Sequence, residues 1–377
     1  MSTIGHVTGE TAGKAVGSAL NRAVRGVRLA GRVLHANVAR PRHPWKVNLA
    51  LTYWCQYKCQ TCNIWRRKPT DELTTREIIE FIRQNPFVSW VDLTGGEIFL
   101  RPDIADILDA VVSLWPHLMV LHFPTNGFLT DAIVSAAERL SRSSVPHVVI
   151  TVSVDGDEAL NDRIRGIRGG FRHQVATFNQ LRQVPRVHVV FGVTVSRLNA
   201  GHLEDTYAAL RAECPGLSFN DLHLNLAQVS HHYYDNANHQ PLLPRDAAVR
   251  ELQFYRGRRE RSLSAQAWLE ERFLDHLDRF LDTGVTPLPC HSLRSSCFID
   301  PWGTVYPCIT YDRVMGSLRD TGMQLSPIWN ADSTRDTQQA IWQGDCPQCW
   351  TACDAYPSIL GNLAQSVRVS PRLLGRS

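Results

Sequence analysis

Six short apolar runs punctuate the first two thirds of the chain, and between them the hydrophobic positions shift to a three-to-four spacing. The runs are Lys46–Thr52, Trp90–Leu93, Met119–Phe123, His147–Val154, Val187–Val195 and Asp221–Leu226. Their length and β-branched content predict strands. Helical spacing covers Thr74–Asn85, Ile104–Trp115, Asp131–Ser141, Gly170–Gln183 and Leu203–Glu213. Thr74 and Glu77 have the spacing of a capping box, which fixes the start of the first of these helices. Strand followed by helix, repeated in sequence, predicts a parallel sheet covered by helices. The expected fold class is α/β, a partial (β/α)6 barrel of the TIM type. Such a barrel carries its chemistry at the C-terminal strand ends.

The flanks have other patterns. Residues 1–12 are small and polar and are expected to be disordered. Over 13–38, Val16, Leu20, Val24, Val27, Val33 and Leu34 fall near one helical stripe, with Arg22, Arg25, Arg28 and Arg32 around the other side. Between residues 11 and 70 there is no Asp or Glu, so the formal charge of +4 hides a basic N-terminal segment and an acidic remainder. A membrane-surface helix, an arm for an acidic partner and an organellar transit peptide all fit this pattern. So does a basic helix packed on the outside of the domain. Past the last strand, residues 227–243 include His231-His232-Tyr233-Tyr234-Asp235 and are expected to loop over the barrel mouth. Residues 244–282 read as a charged helical connector. The expected organisation is 1–44 basic segment, 45–228 barrel, 229–289 loop and connector, 290–356 a small cysteine-rich domain and 357–377 a tail.

Composition adds bounds. The chain has 377 residues, 44% hydrophobic and 20% charged, as in a globular protein of one large domain or two. Its N-terminus lacks a continuous apolar stretch of the secretory type, and no run of about 18 apolar residues exists. A cytoplasmic protein is expected, with any membrane association made through residues 13–38. The ten cysteines are gathered in short clusters, which in an intracellular protein read as metal ligands rather than disulfides.

The cysteines carry the chemistry. Cys55, Cys59 and Cys62 are spaced C-x3-C-x2-C directly after the first strand. Thiolates are soft ligands for iron–sulfur clusters, zinc or copper(I). Three of them, with no fourth ligand close by, can hold three irons of a four-iron cube and leave the fourth open. A structural zinc would want four closed ligands. Toward the C-terminus lie Cys290, Cys297, Cys308, Cys346, Cys349 and Cys353. The stretch Cys297–Cys308 reads as a hairpin turning at Pro301-Trp302-Gly303, and Cys346-Pro-Gln-Cys349 as a knuckle. A hairpin facing a knuckle can bind zinc or a second cluster.

At these residues the chain resembles the radical S-adenosylmethionine (SAM) superfamily. Cys55, Cys59 and Cys62 match its signature, and Gly95-Gly96-Glu97 is similar to its Gly-Gly-Glu motif. The run from Ser153 to Phe171 resembles the strand-four region of the branch with a C-terminal SPASM or Twitch extension. Cys290, Gly303 and Cys308 match the start of that extension, and Cys346-x2-Cys349 its knuckle. Thr61 departs from the aromatic residue often found before the third cysteine. The extension is shorter than the full seven-cysteine pattern, which favours one auxiliary cluster. The resemblance implies a [4Fe-4S] cluster on Cys55, Cys59 and Cys62 that cleaves SAM to a 5′-deoxyadenosyl radical, which takes hydrogen from a substrate. It further implies an auxiliary [4Fe-4S] cluster on Cys290, Cys308, Cys346 and Cys349, with Cys297 and Cys353 as alternative ligands or free thiols. Gly95, Gly96, Glu97, Asn126, Ser153 and Arg165 are the expected SAM contacts. Glu97 would accept from the SAM ammonium, and the two glycines would let backbone approach the ligand. Cys297, Cys353 and Cys214 are the candidates for a hydrogen-donating thiol. A flavodoxin or ferredoxin is the expected electron donor.

The expected substrate is a peptide, a sugar or aminocyclitol, or a lipid. A non-catalytic iron–sulfur carrier or sensor is the alternative from another class, and RNA modification a third. The latter rests on the basic segment alone, without an RNA-binding module. No DNA partner is expected.

Overall fold

The computed structural model describes residues 7–238 and 242–366, with side chains from residue 21 onward. The expected tail beyond 366, residues 1–6 and residues 239–241 of the mouth loop lie outside the described residues. A first helix, α1 (Val7–Val38), begins earlier than the expected residue 13. Six parallel strands follow: β1 (Lys46–Thr52), β2 (Trp90–Gly95), β3 (Val120–Thr125), β4 (His147–Val154), β5 (Val187–Val195) and β6 (Leu222–Leu226). Between them run α2 (Thr75–Gln84), α3 (Ile104–Leu114), α4 (Thr130–Ser141), α5 (Glu158–Arg165), α6 (Gly170–Leu181) and α7 (Leu203–Glu213). The Thr74–Glu77 capping box is formed in both directions. Helix α5 goes beyond the expected elements: Asp157 caps its start and Gly166, at φ +64°, ends it.

The connector is two helices, α8 (Arg245–Arg258) and α9 (Ala265–Thr283), rather than one. Next come the hairpin strands β7 (Ser296–Ile299) and β8 (Thr304–Tyr306), then β9 (Gly316–Ser317). Four helices complete the order: α10 (Leu325–Asn330), α11 (Asp332–Trp342), α12 (Ala352–Gly361) and the single turn α13 (Leu363–Ser366). The expected boundary at residue 356 falls inside α12. The sheet runs β6-β5-β4-β3-β2-β1-β7-β8-β9. Strand β7 pairs in parallel with β1, Cys297 opposite Val47. The cysteine-rich segment therefore continues the barrel sheet.

One apolar core joins the strands to the surrounding helices, with Leu49, Val91, Leu93, Ile107, Leu121, Ile150, Phe178 and Phe191 essentially inaccessible. The arginines of α1 do not simply face solvent. Arg25 donates to the carbonyls of Leu118 and Ser144 at 2.9 and 3.0 Å, and Arg32 donates to the Phe87 carbonyl and to Ser89 Oγ. These acceptors lie on turns at the N-terminal ends of the strands, so α1 braces the base of the barrel. Val24, Val27, Leu34 and Val38 stay exposed along one edge of it. Among the described residues no helix is long and apolar enough to cross a membrane.

Candidate functional site

A cavity of about 860 Å3 runs through the barrel, and the first three clustered cysteines line it. Cys55, Cys59 and Cys62 sit on the loop that leaves β1. That loop is held by backbone on several sides. The amides of Lys58 and Gln60 donate to the carbonyls of Arg165 and Ile164 at 3.1 and 2.8 Å. Asn236 Nδ2 donates to the Thr61 carbonyl at 2.8 Å, and the Asn63 amide to the Tyr234 carbonyl at 2.8 Å. The mouth loop thus covers the cysteine loop, with Tyr233 inserted to 2.7 Å from Thr94 Oγ1. Its histidines part company. His231 is exposed, whereas His232 is buried between Asp312 and the Cys308 carbonyl.

Gly95 and Gly96 meet the same loop. Their amide neighbourhood is backbone: Gly96 N donates to Thr52 O at 2.7 Å and Glu97 N to Trp54 O at 2.9 Å. A Cβ on Gly95 would lie 2.0 Å from Thr52 O. The close approach that requires glycine is therefore to the end of β1 and, at Gly96, to the start of the cysteine loop, although both residues also line the cavity. Glu97 is fully buried. Its carboxylate accepts from the Asn126 amide at 2.7 Å, Thr125 Oγ1 at 3.0 Å and the Phe99 amide at 3.3 Å. Burial pushes this carboxyl up to about 7 against those three donors. It braces the β2 turn against the β3 turn, and it is not among the residues that line the cavity.

Asn126, Ser153 and Arg165 do line it. Asn126 Nδ2 lies 3.0 Å from Gln56 Oε1 and 3.7 Å from Cys55 Sγ. Arg165 is buried and pairs with Asp155 at 3.0 Å, and its Nε has no partner. Burial pushes the thiols of Cys55 and Cys59 up to about 12 and about 11. Buried sulfurs of this kind become thiolates when a metal takes the place of their protons. Among the described residues no three His, Cys, Asp or Glu side chains converge round a single ion. Zinc would draw its sulfurs to within roughly 3.8 Å of each other, given Zn–S bonds of about 2.3 Å. In a four-iron cube each thiolate takes a different iron, so the sulfurs stay apart. The loop, the unpaired Arg165 Nε and the adjoining cavity fit a cluster with a ligand beside it.

A second set of cysteines gathers behind the hairpin. Cys290, Cys308 and Cys349 are near enough to disfavour each other's ionisation, and Cys346 adjoins Cys290. Cys346 and Cys349 belong to the turn before α12, where Gln348 takes a positive φ of 53°. Cys297 is apart from them, buried in β7 against the main core, and Cys214 is buried at the end of α7. Cys353 differs from both: it is on α12 and lines the main cavity.

Sequence reasoning missed the polar wall of that cavity. Asn48, Asp92, His122, Thr151, His188, His223 and Glu270 all line it. Lys46, wholly buried, pairs with Asp92 at 2.8 Å and donates to the Cys353 carbonyl. Glu270 of α9 accepts from Tyr356 at 2.6 Å and faces His223 Nδ1 at 3.1 Å. The available signal was the alternation of polar and apolar positions in Lys46–Asn48 and Trp90–Thr94.

The chain was compared with known proteins. Residues 49–210 match the radical SAM superfamily, and residues 290–366 match the SPASM iron–sulfur cluster-binding domain. The sporulation killing factor maturation protein SkfB of Bacillus subtilis is 27% identical over 166 residues, covering 43% of this chain and 38% of SkfB. The antilisterial bacteriocin subtilosin biosynthesis protein AlbA of the same organism is 22% identical over 327 residues, 82% of this chain and 64% of AlbA. The chain thus matches less than two thirds of the length of either relative. The fold is that of Streptococcus suis SuiB bound to S-adenosylmethionine, with TM-score 0.55 and 14% identity over 78% of this chain and 68% of SuiB. It is also that of anSMEcpe with bound AdoMet and Cp18Cys peptide, with TM-score 0.54 and 15% identity over 80% and 84% of the two chains.

The chain belongs to the radical SAM superfamily, in the branch that carries a C-terminal SPASM domain. Its cofactors are accordingly SAM and [4Fe-4S] clusters, one of them auxiliary in the SPASM domain.

Proposed function

We propose that the protein is a radical SAM enzyme that modifies a peptide inside the barrel. The observation that carries this reading is the one cavity that Cys55, Cys59, Cys62, Arg165 and the polar wall all line. The peptide class is supported by the names of SkfB and AlbA and by the SuiB structure bound to its precursor peptide SuiA. Cys55, Cys59 and Cys62 would hold the first cluster, and Cys290, Cys308, Cys346 and Cys349 the auxiliary one. When bound and reduced, the first cluster supplies one-electron cleavage of SAM, the source of a 5′-deoxyadenosyl radical that abstracts hydrogen.

The chain's own residues do the positioning. Arg165 offers its free Nε–H to the SAM carboxylate while Asp155 holds its other end, a charge-assisted contact. Asn126 and Ser153, at the ends of β3 and β4, meet the ribose hydroxyls. Glu97 contributes by fixing Asn126. Tyr233 and Tyr234 close the mouth and keep water from the reacting centre. A flavodoxin or ferredoxin delivers the electron.

Anaerobic reconstitution tests the reading, with iron and sulfide counted and 5′-deoxyadenosine assayed after addition of SAM and a reductant. About eight irons per chain and production of 5′-deoxyadenosine are expected. Failure to form 5′-deoxyadenosine at full iron loading would overturn the enzyme and leave an electron carrier.

A further inference from the structure

The positioning roles above leave unused the polar residues in the lower half of the barrel. Asn48, Asp92 and His122 stand side by side at one level of neighbouring strands β1, β2 and β3. Thr151 stands on β4 opposite Pro124, one level higher. Asp92 Oδ2 accepts from Lys46 Nζ at 2.8 Å. Its Oδ1 accepts from Trp90 Nε1 at 2.8 Å and faces His122 Nδ1 at 3.2 Å. Burial alone would raise the Asp92 carboxyl, but Lys46 and His122 hold it well below the usual carboxylate range.

An ionised carboxylate can only accept, so the proton between Asp92 and His122 belongs to Nδ1 of the ring. In the neutral ring Nε2 then carries the lone pair. Thr151 Oγ1 lies 3.0 Å from it, placed to donate to that lone pair in the neutral ring. An acceptor hydroxyl backed by an imidazole backed by a carboxylate is an arrangement that takes up protons. Thr151 is two residues before Ser153 on β4, roughly 6.6 Å away along the strand. That is a small substrate group's distance below the expected ribose contact.

A second observation points to a ligand independently. Asn48 is 1% exposed and lines the cavity, yet neither Oδ1 nor Nδ2 of its side chain has a hydrogen-bond partner. A buried amide with donor and acceptor both unpaired costs free energy unless something supplies the matching pair. A peptide amide has that pair.

We propose that Asn48, Asp92, His122 and Thr151 form the substrate subsite of the barrel. It holds a peptide residue by its backbone amide on Asn48 and receives an exchangeable proton from that residue's side-chain O–H or S–H. The proton passes from the substrate heteroatom to Thr151 Oγ as the threonine's own proton moves to His122 Nε2. The imidazolium that results is neutralised by Asp92, and charge balances with the deprotonated substrate. This assignment rests on the peptide-modifying reading, but its test does not require turnover.

The full chain, loaded with clusters and SAM, is labelled with 15N-histidine, and the His122 ring signals are identified by their loss in His122→Gln. At pH 8 the proton is expected on Nδ1, with Nε2 bare. N-acetyl-serinamide, N-acetyl-cysteinamide and N-acetyl-alaninamide serve as probes. The serine or the cysteine amide should shift the Nε2 resonance and the alanine amide should not, and whichever of the two responds identifies the hydroxyl or thiol arm. Thr151→Val should lose the response and Thr151→Ser should keep it. Asn48→Leu should weaken binding of the responding amide about tenfold. Lys46, His147, His188, His223, Glu270, Cys353 and Tyr356 also line or adjoin this cavity, so the titration is read only from the assigned His122 ring. A proton on Nε2, an equal response to all three amides, or no response to any of them would overturn the subsite. Loss of 5′-deoxyadenosine formation would overturn the enzyme reading instead, leaving the ring tautomer to be judged separately.

Discussion

Gly96 and Trp54 touch through backbone alone: a Cβ placed on Gly96 would lie 2.1 Å from the Trp54 carbonyl oxygen. The next residue completes the contact, its amide donating to that same oxygen at 2.9 Å. Even the smallest side chain must push the cysteine loop off β2. Gly96→Ala should therefore lose most of the iron of the first cluster and at least about a hundredfold of 5′-deoxyadenosine formation, in line with the cost of a displaced reacting group. Iron counting on Gly96→Ala in a chain also lacking Cys290 separates this loss from the auxiliary site. Full iron retention would show that the loop tolerates the shift.

The two cysteine groups should empty independently. Cys290→Ala and Cys349→Ala are each expected to lower bound iron from about eight to about four per chain. Cys214→Ala, in the core beyond α7, should leave iron unchanged. Iron and sulfide analysis of the reconstituted variants checks this, and unchanged iron in Cys349→Ala would remove that residue from the ligand set.

Asp92 sits between Lys46 and His122, and its carboxyl is held below the usual range while the Lys46 amine is held above its own. Removing one partner leaves the other charged and buried. Asp92→Asn should cost about 3–5 kcal/mol of folding stability, measured by denaturant unfolding of the cluster-free chain. The sign of the pH dependence follows from the depressed value. The contribution is present above the unfolded carboxyl's pKa near 4 and is lost as pH falls below it. Wild type and variant should converge in stability on acidification. A constant gap down to the acid transition would mean that the pair contributes nothing through ionisation.

The basic helix makes a prediction of its own. Arg32 is the donor to the Phe87 carbonyl and Ser89 Oγ at the base of the barrel. Arg32→Ala should destabilise the fold by roughly 1–3 kcal/mol by leaving a partly buried acceptor unmet. Arg22→Ala, at an exposed position, should sit within about 0.5 kcal/mol of wild type. Equal effects from the two would argue that α1 acts only through its net charge.

The strands were legible because their apolar runs are short, β-branched and separated by stretches of helical spacing. Helix α5 was equally marked, by Asp157 at its start and Gly166 at its end, but its eight mostly polar residues are too short to show a helical apolar stripe. The pairing of β7 with β1 was not legible: four residues in a cysteine-rich stretch carry no signal for a partner some 250 residues away. Polar residues at alternate positions, as in Lys46–Asn48, normally denote a face turned to solvent. Here that face encloses a cavity, and only the closure of the barrel distinguishes the two cases. The Gly95-Gly96-Glu97 motif was found by resemblance, yet the sequence could not say that its glycines answer to a neighbouring loop or that Glu97 is engaged by the β3 turn. The arginines of α1 suggested an external partner, because a charge pattern does not reveal backbone acceptors.

The β1–β7 pairing also sets a timetable. Strand β1 is made early, but its second edge is covered only when residues 296–299 arrive. At 5–20 residues per second, a nascent chain waits roughly 12–50 s with that edge open. An unpaired parallel strand edge invites intermolecular pairing. Holding chaperones that shield this edge should therefore decide how much folded protein a cell or an expression host obtains.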